Sequence, residues 1–101
     1  MDALVQKVVQ QITAAVHPDK IILFGSRAGG TGHADSDIDL VVLYSGPKPK
    51  REIQIGIRRL FEHPDFSMDL FVMTPQEFEA QKSVANTLAR EAAEKGVVCY
   101  G

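Results

Sequence analysis

Residues 20–28 read KIILFGSRA, and residues 36–44 read SDIDLVVLY. The run from Ile21 to Phe24 is apolar without alternation, which predicts a strand buried on both faces. Gly25 and Ser26 then mark a turn directly at its end. The second stretch opens with Asp37 and Asp39 and becomes wholly apolar, predicting a strand over 37–44 with one wet end and one buried end. Strand residues at i and i+2 share a face, and their Cα atoms stand roughly 6 to 7 Å apart. Two carboxylates approaching to about 5 Å at an effective dielectric near 20 repel by about 3 kcal/mol. The pair is therefore either well solvated or built to hold a cation, and Asp35 or Ser36 is equally suited to capping a turn.

A third acid, Asp69, lies among apolar residues in a strand expected over 67–73. Read alone it is a surface or cap residue; converging with Asp37 and Asp39 it makes an oxygen-rich set suited to Mg²⁺. Asp35, Asp37 and Asp39 imitate the opening of an EF-hand loop, but its sixth and twelfth positions are Leu40 and Gly46, which excludes that calcium site. Backbone N–H groups in the turn at Gly25 and Ser26 suit phosphate oxygens, and Ser26 adds a hydroxyl. Arg27 either reaches a phosphate or braces the loop against an acid. No Walker lysine follows the glycines.

Around this centre, Leu4, Val5, Val8, Val9, Ile12, Ala15 and Val16 recur at helical spacing, predicting an amphipathic helix that ends near Pro18. The glycines between 28 and 34 predict a loop. A second helix is expected over 50–62, with Ile53, Ile57, Leu60 and Phe61 on its apolar face. Thr74 before Pro75, with Glu77 following, marks a helix start. A further helix is expected over 86–95, stopped by Gly96, and 97–100 is a short strand or a docked tail. The implied architecture is α/β (α+β): a mixed β-sheet flanked by helices.

The 101 residues carry a formal charge of −2, matching one domain spanning 1–101. The lone Cys99 cannot form an internal disulfide and is expected to pack as a small apolar residue. With no leader-like or membrane-spanning run, the chain reads as cytoplasmic. Net acidity argues against broad nucleic-acid binding. Lys48, Lys50, Arg51, Arg58 and Arg59 form either a nucleic-acid face or a solvated helix surface, and no aromatic residues interleave them. His17, His33 and His63 lack metal-ligand spacing.

Gly25, Ser26, Arg27 and Ala28, followed by Ser36, Asp37, Ile38, Asp39, Leu40 and Val42, resemble the signature of the nucleotidyltransferase superfamily typified by DNA polymerase beta. The compact chain is similar to the minimal, MNT or MntA-like group. The resemblance implies transfer of a nucleoside monophosphate from an NTP, with ATP the expected donor, assisted by two Mg²⁺ ions. Asp37, Asp39 and Asp69 would be metal ligands and catalytic residues. Gly25, Ser26 and Arg27 would hold the triphosphate. Gly29 departs from the motif, because minimal members often carry arginine there.

The same resemblance implies an antitoxin whose partner is a HEPN-domain toxin, modified with AMP on a hydroxyl. Two other readings stay open: a binding antitoxin with a vestigial nucleotide site, and a small-molecule transferase of the antibiotic-modifying kind. A homo-oligomer or hetero-oligomer is expected in either antitoxin case.

Overall fold

The computed structural model describes residues 3–28, 37–62 and 66–101. Expectations for Gly29, His33, Asp35, Ser36 and His63, and for the loop over 29–34, lie outside them. Helix α1 (Ala3–Val16) buries Val5, Val8, Val9 and Ile12, the positions that its i, i+3, i+4, i+7 spacing predicts. It ends where His17 turns to φ 51°. Strand β1 (Lys20–Phe24) follows, then β2 (Ile38–Leu43), α2 (Lys50–Leu60), β3 (Met68–Met73), α3 (Pro75–Gln81), α4 (Leu88–Lys95) and β4 (Val97–Tyr100).

The strands form one mixed sheet in the order β3-β2-β1-β4. Strand β1 pairs antiparallel with β2 and with β4, whereas β2 and β3 run parallel and are joined through α2. A parallel neighbour needs a crossover of this kind, because a tight hairpin cannot return the chain in the same direction. The mixed sheet with helices is the architecture expected from the sequence, and the segment over 97–100 is an edge strand.

The pleat sorts side chains onto two faces. Ile21, Leu23, Ile38, Leu40, Val42 and Leu70 pack with the apolar stripes of α1 and α2. On the other face Ile22, Phe24, Val41 and Leu43 meet Phe78 of α3 and Ala89 and Ala92 of α4. Strands β1 and β2 thus carry apolar residues on both sides, which explains their unalternating sequences. At Gly96 the backbone passes so close to Ile22 that a β-carbon would lie 2.6 Å from its Cγ2.

Several boundaries differ from expectation. The last helix starts at Leu88 rather than 86, because Asn86 has φ 64° and the Thr87 side chain accepts from the Arg90 N–H as the cap. Helix α2 stops at Leu60, and Phe61 turns to pair edge-on with Phe66 at 5.9 Å between ring centroids. Leu60, expected in the core, is exposed at the end of the helix. Thr74 starts α3 with a complete capping box: its hydroxyl accepts from Glu77 N–H, and its own N–H donates to Glu77 Oε1 at 2.8 Å. Cys99 is half-buried against the α1/α2 core, and burial pushes its thiol pKa up. Among the described residues, no helix is long and apolar enough to cross a membrane.

Candidate functional site

The carboxylates gather at the sheet edge where β1 ends and β2 and β3 begin. In the parallel register, Asp39 stands directly beside Asp69, and in the antiparallel register it stands opposite Phe24. Both acids occupy the α3/α4 face. Asp37 lies just before β2, rather than in the strand expected over 37–44, and is near enough for its charge to act on Asp39. Phe24 and Phe71 lie beside the pair with ring centroids 6.0 Å apart.

Gly25 completes the arrangement from β1. It adopts φ +79°, a conformation that glycine takes without the penalty an L side chain meets. A β-carbon built on it would collide with Asp39 Oδ2 and sit 3.1 Å from Asp39 Cγ. The Ala28 N–H donates to the Gly25 carbonyl at 3.2 Å, closing a turn through Ser26 and Arg27. Ser26 is exposed and Arg27 half-buried on that turn. The small-residue turn and the acidic strand read separately from the sequence are thus in contact.

The cost of this clustering falls on Asp39. Its pKa rises from 3.8 to about 6, first through partial burial, then through the hydrogen bond and charge of Asp69, and then through the charges of Asp37 and Glu91. Glu91, in the first turn of α4, was not visible as a site residue from sequence. Nothing in the spacing of residues 39 and 91 signals their proximity. A proton is the small cation that relieves such a pair when no larger one does.

A divalent ion suits this donor set of hard carboxylate oxygens on adjacent strands, where burial first and then the neighbouring acids disfavour the charged form of Asp39. The acids are not drawn together as a closed cage, however. Among the described residues, no group of three or more histidine, cysteine, aspartate or glutamate side chains has converged as a metal site. Asp39 and Asp69 share a hydrogen bond, whereas Asp37 acts on Asp39 through its charge. Of the sequence-derived set, Gly25 and Asp39 touch, Asp69 joins through the register, and Ser26, Arg27 and Asp37 flank them.

A cavity of about 450 Å³ opens beside Asp69 and wraps the exposed edge of β3, with Phe71, Met73 and Leu88 on one side and Gln54 and Arg58 on the other. Of the site's carboxylates, Asp69 is the one that lines it among the described residues.

Comparison with known proteins accords with this geometry. The crystal structure of a toxin–antitoxin with AMP-PNP contains a similar chain, at TM-score 0.63 and 23% identity over 95% of this chain and 73% of that one. At this identity the likeness is one of fold. No curated protein sequence matches the chain significantly. Residues 4–98 match the family model of the nucleotidyltransferase domain, so the chain belongs to that family, within the DNA polymerase beta-like superfamily.

Proposed function

We propose that the protein transfers AMP from ATP to a hydroxyl group on a partner protein, releasing pyrophosphate. The observation that carries this reading is the register that sets Asp39 beside Asp69, with Gly25 packed against the Asp39 carboxylate. Asp37, Asp39 and Asp69 would hold Mg²⁺, two ions by family resemblance. Bound there, the metal would supply stabilisation of negative charge on the attacking and leaving oxygens.

The remaining work belongs to the chain's own residues. The turn at Gly25, Ser26 and Arg27 receives the triphosphate. Asp69, exposed on the edge strand, positions the acceptor hydroxyl and takes its proton. The hydroxyl oxygen bonds to the α-phosphorus while the bond from that phosphorus to the pyrophosphate oxygen breaks.

The domain family supports nucleotidyl transfer. The fold likeness to a toxin–antitoxin with AMP-PNP supports an adenine nucleotide and a protein partner. The sequence resemblance to MNT proteins adds a HEPN-domain toxin as that partner, and a cytoplasmic antitoxin role with it. The test is intact-mass spectrometry of the co-purifying partner after incubation with Mg²⁺ and each NTP in turn. The expected result is an AMP adduct formed with ATP and lost with Asp39→Asn. An unmodified partner under all four nucleotides would sink the proposal.

A further inference from the structure

The outer side of α2 forms a second surface whose chemistry the acidic site does not use. Arg51, Arg58 and Arg59 line a groove of about 730 Å³ between this helix and Val72 of β3, together with Lys50. At about 100° per residue the three arginines and Ile55 fall on one side of the helix, away from the buried Ile53 and Ile57. Among the described residues, Glu62 is the groove's only carboxylate. Lys50 is already paired with Glu77 at 2.8 Å. Among the described residues, the Arg51 and Arg59 side chains have no hydrogen-bond or ion-pair partner.

Two further observations connect the groove to the acidic pair. Gln54, Arg58 and Val72 line both this groove and the cavity beside Asp69, so the two are continuous around the edge of β3. The edge itself is partly closed to another strand. Gln54 Nε2 donates to the Leu70 carbonyl at 3.3 Å and Arg58 Nη1 to the Met68 carbonyl at 3.1 Å, occupying acceptors that strand addition would need. An occupant therefore lies along α2 and reaches Asp69 by its side chains.

We propose that this groove docks an acidic segment of the protein that supplies the acceptor hydroxyl, holding it so that the hydroxyl enters the cavity beside Asp69. The inference rests on the reading above that the acceptor is a protein. Charge complementarity selects acidic side chains, and the apolar Ile55, 41% exposed, and Val72 suit a polypeptide. A nucleic acid fits less well, since the groove's described residues offer no aromatic platform for bases and the chain as a whole is acidic.

The test uses a fluorescein-labelled copolymer of glutamate and tyrosine, with polyglutamate and a single-stranded oligoribonucleotide as comparison ligands, followed by anisotropy. Copolymer and polyglutamate should both bind the wild type. The double variant Arg51→Glu, Arg59→Glu should bind them more weakly by about tenfold, each charge contributing several-fold. Its ATP affinity and melting temperature should stay unchanged. The milder Arg51→Gln, Arg59→Gln pair, with a smaller loss, keeps the test valid if charge reversal disturbs folding. Copolymer that fails to bind, or binds the variants equally, overturns the proposal, as does an oligoribonucleotide that binds more tightly and displaces it. Modification of the natural partner unaffected by either variant pair would remove the groove and leave the transferase reading standing. Docking without AMP transfer to copolymer or partner would do the reverse.

Discussion

The Asp39 carboxylate fills the space that a β-carbon on residue 25 would need, so Gly25 and Asp39 are a matched pair across β1 and β2. Gly25→Ala meets two penalties there, the positive φ and the collision. The first alone is worth roughly 1 to 2 kcal/mol. Urea denaturation should show a loss of at least that size, together with a severe loss of transfer activity. Asp39→Ala in the same chain should recover part of the lost stability, because it removes the atoms in the way. Strict additivity in this double-mutant cycle would mean that the contact is not energetically coupled.

Acid pH should favour the metal-free fold at this site. The folded-state pKa of Asp39, about 6, lies above its ordinary 3.8, so the native state holds the proton more tightly than the unfolded chain. This contribution is fully present below about pH 4 and disappears as pH rises through about 6. In EDTA at pH 7.5, Asp39→Asn should therefore melt no lower than wild type, and the difference should shrink on going to pH 4.5. Added Mg²⁺ should raise the wild-type melting temperature and leave the variant nearly unmoved. A variant stabilised by Mg²⁺ as strongly as wild type would remove Asp39 from the metal set.

Thr74 caps α3, which leaves the end of β3 opposite the acidic site. Thr74→Ala removes the acceptor for the Glu77 N–H and should cost about 1 kcal/mol, measured by denaturant unfolding. Glu77 itself is held below the usual carboxylate range, chiefly by its hydrogen bond from Lys50. Thr74→Ser should retain most of the stability. An equal loss for both substitutions would assign the effect to the methyl group instead of the cap.

Leu40 is fully buried between β1 and β3, on the face opposite the acids. Leu40→Ala should destabilise by roughly 2 to 5 kcal/mol. Partner modification should fall only in proportion to the fraction unfolded, as measured by circular dichroism at the assay temperature. A larger loss in the fully folded variant would show that the core face helps set the carboxylate geometry.

The elements legible in the sequence were those whose pattern is local. The run from Ile21 to Phe24 reports burial on two faces, and the spacing from Val5 to Ile12 reports one helical stripe. Asp37 and Asp39 could be paired because a strand's period is short. Asp69 entered through its apolar surroundings and a family resemblance, since no local rule states that β3 lies parallel to β2 in a register matching 39 with 69. Glu91 was hidden for the same reason, its influence on Asp39 arising only when α4 packs on the sheet. Leu60 misled because it lies on the same helical face as Ile53 and Ile57 but is the last residue of α2, where that face is exposed.

The pairing of β2 with β3 has a consequence for how reliably the protein assembles. Sliding β3 by one residue would turn Asp69 towards the dry side under α2 and expel Leu70, a change that the hydrophobic core resists strongly. The alignment that keeps oil away from water is the same one that sets Asp39 beside Asp69. A molecule that has folded at all has therefore already been proofread for a correctly aligned acidic pair.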